Sequence, residues 1–259
     1  MIGALVAMEL IWLAGLFGLG LLAVTVATAI ADAAPGPIGL VLAAGAALVV
    51  WALAAALVAG LVPRPRPGRH GLVSAGSIAW GLGLVARRWL DIPIVGLLWR
   101  QSTLLRFLVL RLQGARVALS TQMSSDVHHL DPGFVTIGPR AMLGSAAVSS
   151  AHLFLGPSLV LAPITIGAEA QIGSEAKIGP GVVIGQRAVI QGAVILCPSV
   201  HVGDGAVVGL RATIGHDVRI GARAKVAACA WVPPRTVVPD DGEYPPPAAD
   251  QPATEPRKD

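Results

Sequence analysis

Two long apolar runs open the chain, Leu10–Ile30 of 21 residues and Ile38–Val62 of 25, and neither holds an Asp, Glu, Lys or Arg. A helix needs about 20 apolar residues to cross a hydrocarbon core, so each run predicts a spanning helix. Asp32, Pro35, Gly36 and Pro37 predict the turn between them. Ala31-Asp32-Ala33 resembles a signal-peptide cleavage site, but no Lys or Arg precedes the first run and the run is long for an h-region. A helical hairpin over residues 1–62 is therefore expected. Residues 63–71 (PRPRPGRHG) read as a stiff basic linker. Leu72–Ala86 is apolar but only 15 residues long, which suits an interfacial or re-entrant element, or a third span if it extends through Trp89. Leu97–Gln113 has helical character, with Arg100 and Arg111 on one side and Arg106 well round from them. The whole of 72–116 is thus expected to lie along a membrane surface or against the next domain.

From about residue 117 the period changes to six. An aliphatic residue stands at Ile166, Ile172, Ile178, Ile184, Ile190, Leu196, Val202, Val208, Ile214, Ile220, Val226, Val232 and Val238, thirteen positions without a slip. A small or β-branched residue precedes each by two, and glycine follows directly in eight cases. Six matches neither a helix nor a hairpin array. It fits a solenoid with three short sides per coil, one inward aliphatic on each, over residues 117–239. Glycine after the aliphatic residue is expected to form the tight corner. Upstream, Ile137, Leu143, Leu155 and Leu161 keep the register, with Ser149 in the missing place, and a five-residue step to Ile166 predicts an irregular corner near Ala162-Pro163. The tail 240–259, rich in Pro and charge, is expected to be disordered.

Composition narrows the function classes. Hydrophobic residues make up 54% of the chain and charged residues 13%, against about 25% charged in a soluble domain, which argues against a wholly soluble enzyme. Nine arginines between 63 and 116 face one acid, Asp91. This block follows apolar spans and lacks interleaved stacking aromatics, so anionic membrane lipid, and not nucleic acid, is the expected partner. No Lys or Arg lies in 32–37, whereas Arg64, Arg66, Arg69, Arg87 and Arg88 follow the second span. The positive-inside rule then places both termini and the solenoid in the cytoplasm, with the hairpin in the inner (plasma) membrane. Cys197 and Cys229 make no disulfide framework and have no zinc spacing.

IGAEAQIGSEAKIGPGVVIG (166–185) and VGDGAVVGLRATIGHDVRIG (202–221) resemble the hexapeptide repeat of left-handed parallel β-helix acyltransferases. LRLQGARV, FVTIG, SSAHLF and WVPPRTVV further resemble the membrane-associated C-terminal β-helix region of poly-amino-acid synthetases of the epsilon-poly-lysine type. This chain departs from that pattern at Gly133 and at Leu155-Gly156-Pro157. The broader resemblance implies a homotrimer that moves an acetyl or other acyl group from acyl-CoA to a hydroxyl or amine on a small-molecule, peptide or glycan acceptor, with a lipid-linked, cell-envelope or peptide substrate near the inner leaflet as the favoured kind. It also implies a CoA groove between neighbouring β-helices and no metal.

Such chemistry needs a base that reaches the acceptor and titrates near neutrality, which imidazole does, and donors for the oxyanion. His152, in the matched HLF segment, leads. A structural histidine at a coil corner explains it about as well. His128 and His129 lie beside Asp126 and Asp131, where a polar loop capping the first coil is the plainer account. His201 and His216 should point outward. Arg211, Arg219, Arg223 and Lys225 are the candidate phosphate partners, with solvated surface charge as the commoner reading. Two other classes stay open. One is a silent trimeric scaffold at the membrane. The other is a carbonic-anhydrase-like zinc enzyme, disfavoured because no H-x4-H pair is present.

Overall fold

The computed structural model describes residues 2–245 and divides into two compact units. One comprises the residues up to 119 with 131–136 and 151–163. The other comprises 120–130, 137–150 and the residues from 164 on.

In the first unit the apolar runs become helices α1 (Ile2–Ala33) and α2 (Pro37–Leu61). Pro37 opens α2 at a position where its missing N–H costs nothing, and Gly36 takes the left-handed turn at φ 103°. Small residues line the buried side of α2, among them Gly39, Ala43, Ala52, Ala55 and Ala56, which lets backbones approach closely. Phe17, Leu21, Ile38 and Val41 stay more than 70% exposed. Large apolar groups outside and small ones inside invert the soluble pattern and suit a lipid surround. Among the described residues, these two helices are long and apolar enough to cross a membrane.

The segment expected to be interfacial forms α3 (Ala75–Arg87), α4 (Pro93–Gln101) and α5 (Thr103–Leu112). At 13 residues α3 is about 20 Å long, too short for the third span that 72–90 allowed. The single helix expected over 97–113 is broken at Ser102, which is extended and caps α5 by accepting from the Leu105 N–H, so that α4 and α5 meet at 110°. Three indoles bind the layer together by donating to backbone carbonyls: Trp51 to Trp89, Trp89 to Trp12 and Trp99 to Leu90, at 2.9–3.1 Å. The Trp89 ring fills the space where a side chain at Gly15 would be.

The linker is more structured than its composition suggests. Gly68–Gly71 pairs antiparallel with Ser158–Leu161, which in turn pairs with His152–Leu155. The irregularity expected near Ala162-Pro163 is this hairpin, turned at Gly156-Pro157. Leu155 therefore leaves the hexad register and is exposed.

The second unit is the solenoid, about seven turns of parallel β-structure that match a hexapeptide-repeat β-helix. From Ile164 on, each strand pairs with the one eighteen residues later, three hexads and one full coil, as in Ile166↔Ile184 and Ile184↔Val202, whereas the first coils are spaced wider, Gln122 pairing with Met142 and Met142 with Gln171. The hexad aliphatics are buried, as are the small residues two before them except the half-buried Ala230 and Thr236, with Ala170, Ala176, Val182 and Ala188 completely so. The coil continues past the expected end at 239, because Glu243–Tyr244 pairs with Lys225–Val226. The rest of the tail expected to be disordered lies outside the described residues.

Corner chemistry differs from expectation. The left-handed residue comes three positions after the inward aliphatic, at Glu169, Glu175, Gly181, Arg187 and onward, and is glycine only occasionally. The glycine directly after the aliphatic is required by stacking: a Cβ on Gly203 would lie 2.5 Å from the Ala222 amide of the next coil. At Gly205, φ 66°, the nearest atom would be 3.6 Å away. Gly203→Ala is therefore expected to cost about 1–3 kcal/mol by overpacking, and Gly205→Ala about 1 kcal/mol of left-handed strain. Thermal unfolding of the two variants in detergent checks the order.

Candidate active site

Asp131 begins the turn Asp-Pro-Gly-Phe, in which Phe134 donates its N–H to the Asp131 carbonyl at 3.0 Å. The fixed Pro132 ring and the short helical turn hold the carboxyl group inside the first unit, where its side chain is 1% exposed. Three donors converge on it. Trp80 of α3 gives its indole N–H to Oδ1 at 2.8 Å. The Ala151 backbone N–H reaches Oδ2 at 3.0 Å, and His152 Nδ1 reaches the same oxygen at 2.7 Å. The Arg87 guanidinium lies 3.8 Å from Oδ1.

Burial by itself raises the Asp131 carboxyl, but hydrogen bonds from His152 and Trp80 and the charges of His152 and Arg87 outweigh it and hold the group below its usual 3.8. Burial in turn lowers the Arg87 guanidinium from its ordinary value, with Asp131 and Asp91 opposing. An ionised carboxylate can only accept, so His152 Nδ1 carries the hydrogen, and in the neutral ring the basic lone pair sits on Nε2. Aromatic rings fix the orientation: Trp80 lies 4.8 Å and Phe154 6.0 Å from the imidazole centroid, and the two are 5.7 Å from each other. A histidine tied to a buried carboxylate and packed into a triangle with two other rings is held to take up a proton in one set direction.

Two of the four sequence candidates thus come together, His152 with Asp131. The other two belong to the solenoid. His128 is exposed on a strand. His129 points inward in register with Ser149, whose hydroxyl lies 2.7 Å from its Nδ1, while Nε2 lies 3.5 Å from Met123 Sδ. The polar Ser149 interrupts the hexads because it partners His129 there, which makes His129 a structural member of the first coils. His201 and His216 are exposed, His216 beside Asp217 at 2.9 Å.

The four cationic candidates do not gather into one cluster. Arg211 and Arg223 occupy left-handed corners, while Arg219 and Lys225 project from two different sheets. Arg223 is committed to Asp241 through two bonds of 2.6 Å, and Lys225 lies 3.8 Å from Glu243.

Sequence reasoning missed Trp80 and Arg87 as members of the site. The two are seven apart on α3 and so share a face, a spacing that could have linked them. In the sequence Arg87 counts only toward orientation, and nothing there points from Trp80 to Asp131.

Residues 163–198 match the family described as the hexapeptide repeat of succinyl-transferase. Solved structures with similar folds include the acetyltransferase domain of PglB from Neisseria gonorrhoeae in complex with acetyl coenzyme A, at 12% identity and TM-score 0.37, covering 56% of this chain and 65% of that one. This chain thus spans less than two thirds of that domain. PerB from Caulobacter crescentus, with CoA and GDP-perosamine, is 19% identical at TM-score 0.32, covering 54% and 63%. A hexapeptide-repeat acetyltransferase from Vibrio cholerae is 21% identical at 0.35, covering 68% and 92%. No curated protein matches the sequence.

Replacing Trp80 by Phe keeps a ring against His152 but removes one donor from a buried carboxylate, for an expected cost of about 1–3 kcal/mol. Asp131 has a lowered folded-state value, so its stabilisation is present above the unfolded value near 3.8 and lost as pH falls through the lower one. The stability gap between wild type and Asp131→Asn should therefore be open at neutral pH and close below pH 3.8, as read from unfolding midpoints at several pH values.

Proposed function

We propose that this protein is a membrane-anchored acyltransferase of the hexapeptide-repeat kind, with His152 as its general base and Asp131 as the positioning residue. The Asp131–His152 bond of 2.7 Å, made by a carboxylate almost wholly out of water, carries the reading. His152 Nε2 takes the proton of an acceptor hydroxyl or amine. The freed lone pair forms the new bond to the thioester carbonyl carbon of an acyl-CoA. When the tetrahedral intermediate collapses, the carbon–sulfur bond breaks and the imidazolium returns its proton to the departing thiolate, giving CoA thiol. Asp131 stabilises the imidazolium throughout.

The family match at 163–198 supports acyl transfer as the class of reaction, and the relatives solved with acetyl coenzyme A or CoA suggest the donor. The two long apolar helices support anchoring. The Arg-rich stretch after α2, against a connecting turn without Lys or Arg, supports a cytoplasmic solenoid at the inner membrane. Trp231 and Val237, over 60% exposed on strands of two different sheets, suit two sides of the coil that other copies would cover in a homotrimer. The CoA contacts remain with the outward residues of the solenoid, and Arg211 and Arg219 are better placed for them than Arg223, which Asp241 occupies.

His152→Ala should reduce acetyl transfer to background while the circular dichroism spectrum and oligomer size stay those of the wild type. Asp131→Asn should lower kcat by roughly a hundred-fold or more, because the amide no longer enforces the productive tautomer. Thiol release from acetyl-CoA, screened over amine and hydroxyl acceptors with detergent-solubilised protein, measures both. Turnover unchanged by His152→Ala would remove the base from this scheme.

A further inference from the structure

A cavity borders the ring cluster, with Trp80 and Phe154 in its wall. It has a volume of about 330 Å³ and is walled chiefly by Met8 of α1, Leu72, Trp80 and Leu84 around α3, and Phe154 and Leu159 of the hairpin. That size falls at the lower end of the range for small-molecule sites, about 300–1,000 Å³. The polar side chains in its wall are already satisfied. The Ser77 hydroxyl donates to the Gly71 carbonyl at 2.8 Å, the Trp80 indole N–H is spent on Asp131, and Arg88 is paired with Glu9 at 2.7 Å. The half-exposed Arg88–Glu9 pair forms a polar edge, while the rest of the wall is apolar or has its polar groups engaged, so the interior favours hydrocarbon, since a polar occupant there would be stripped of water with little return.

Two further observations say which hydrocarbon. One wall belongs to α1, a helix long and apolar enough to cross a membrane, and Leu72, Leu84 and Phe154 keep 42–50% of their surface exposed, so a chain resident in a bilayer finds an apolar entry. Trp80 and Phe154 also flank the His152 ring at 4.8 and 6.0 Å. The same two side chains thus line the slot and hold the base.

From this we infer that the cavity is the tail site of an amphiphilic acceptor: a molecule with one hydrocarbon chain in the slot and a hydroxyl or amine head at His152. The inference rests on the acyltransferase reading and supplies its acceptor class, a membrane-resident lipid and not a freely soluble metabolite. Seating the chain holds the nucleophile near the imidazole, which converts an encounter into an intramolecular step.

The test uses the full chain in phosphatidylcholine nanodiscs and dodecylamine carrying a diazirine at mid-chain, with crosslinks mapped by peptide mass spectrometry. Labelling should fall on the peptides bearing Leu72–Leu84 and Phe154–Leu159. It should drop about ten-fold in Leu84→Trp, which fills the slot, and in Leu72→Glu, which charges an exposed part of its wall. Two separate substitutions guard against a single misfolded variant. His152→Ala should label like the wild type, because the tail site does not need the base. Labelling confined to outward positions such as Phe17, Leu21 and Val41, or equal in all variants, overturns the inference. Acyl transfer to a water-soluble amine by a protein that labels only at those outward positions would leave the acyltransferase reading standing and defeat this one alone. Labelling of the slot in a protein that transfers no acyl group would defeat the acyltransferase reading, and the acceptor role with it, while leaving the slot a site for a hydrocarbon chain.

Discussion

A carboxylate removed from water is tolerable only where donors surround it, and Asp131 sets that condition for the first unit. Its oxygens gather an indole from α3, a backbone N–H and an imidazole from the hairpin, and the charge of Arg87 from the last turn of α3. Losing any one of these leaves a buried charge short of a partner, at a cost far above that of a surface contact. The helix, the turn at Pro132 and the hairpin therefore hold one another in place through a single side chain. What fixes the fold locally also fixes the tautomer and orientation of His152.

The solenoid solves a different problem. Its coils repeat every eighteen residues, so any requirement of one corner recurs at all of them. Two requirements look like one in the glycine that follows eight of the thirteen aliphatic residues. Close stacking of neighbouring coils excludes a Cβ at that glycine, as Gly167 and Gly203 illustrate. Backbone handedness is met three positions after the aliphatic, where Glu, Arg, Ala and Asp adopt φ near +60°. A side chain can bear a left-handed conformation at modest cost, but it cannot occupy the space of another backbone.

These distinctions explain what the sequence discloses. Hexads and apolar runs are legible because each repeats one physical demand many times, and thirteen aliphatics in register leave little alternative. The last coil was lost at Glu243–Tyr244 because charge and proline around it resemble a disordered tail. The hairpin at His152–Leu161 was visible only as a slip, since Leu155 and Leu161 happen to fall on the hexad count while belonging to another structure. At the site, His152 and Asp131 were within reach as residue types, but their pairing joins positions 21 apart and Trp80 lies 51 before Asp131. Contacts of that kind have no local signature. His129 shows the converse: its neighbours in sequence suggested chemistry, and its register with Ser149 gives it a packing role.

A silent scaffold was the serious rival to an enzyme, and the economy of the site weighs against it. A protein that needs only to assemble gains nothing by placing an ionised carboxylate under a histidine; apolar residues of the same volume would hold the hairpin to α3 at least as well. The placement is also outside the repeat. Every coil of a solenoid offers nearly the same surface as the next, so a unique constellation has to be made where the repetition is suspended, and the chain suspends it at 151–163, the excursion that carries His152. Irregularity gathered at that excursion and at the Asp131 turn, stabilised by an otherwise costly charge and set beside two aromatic rings, is what a proton-transfer site requires and what a structural joint could do without.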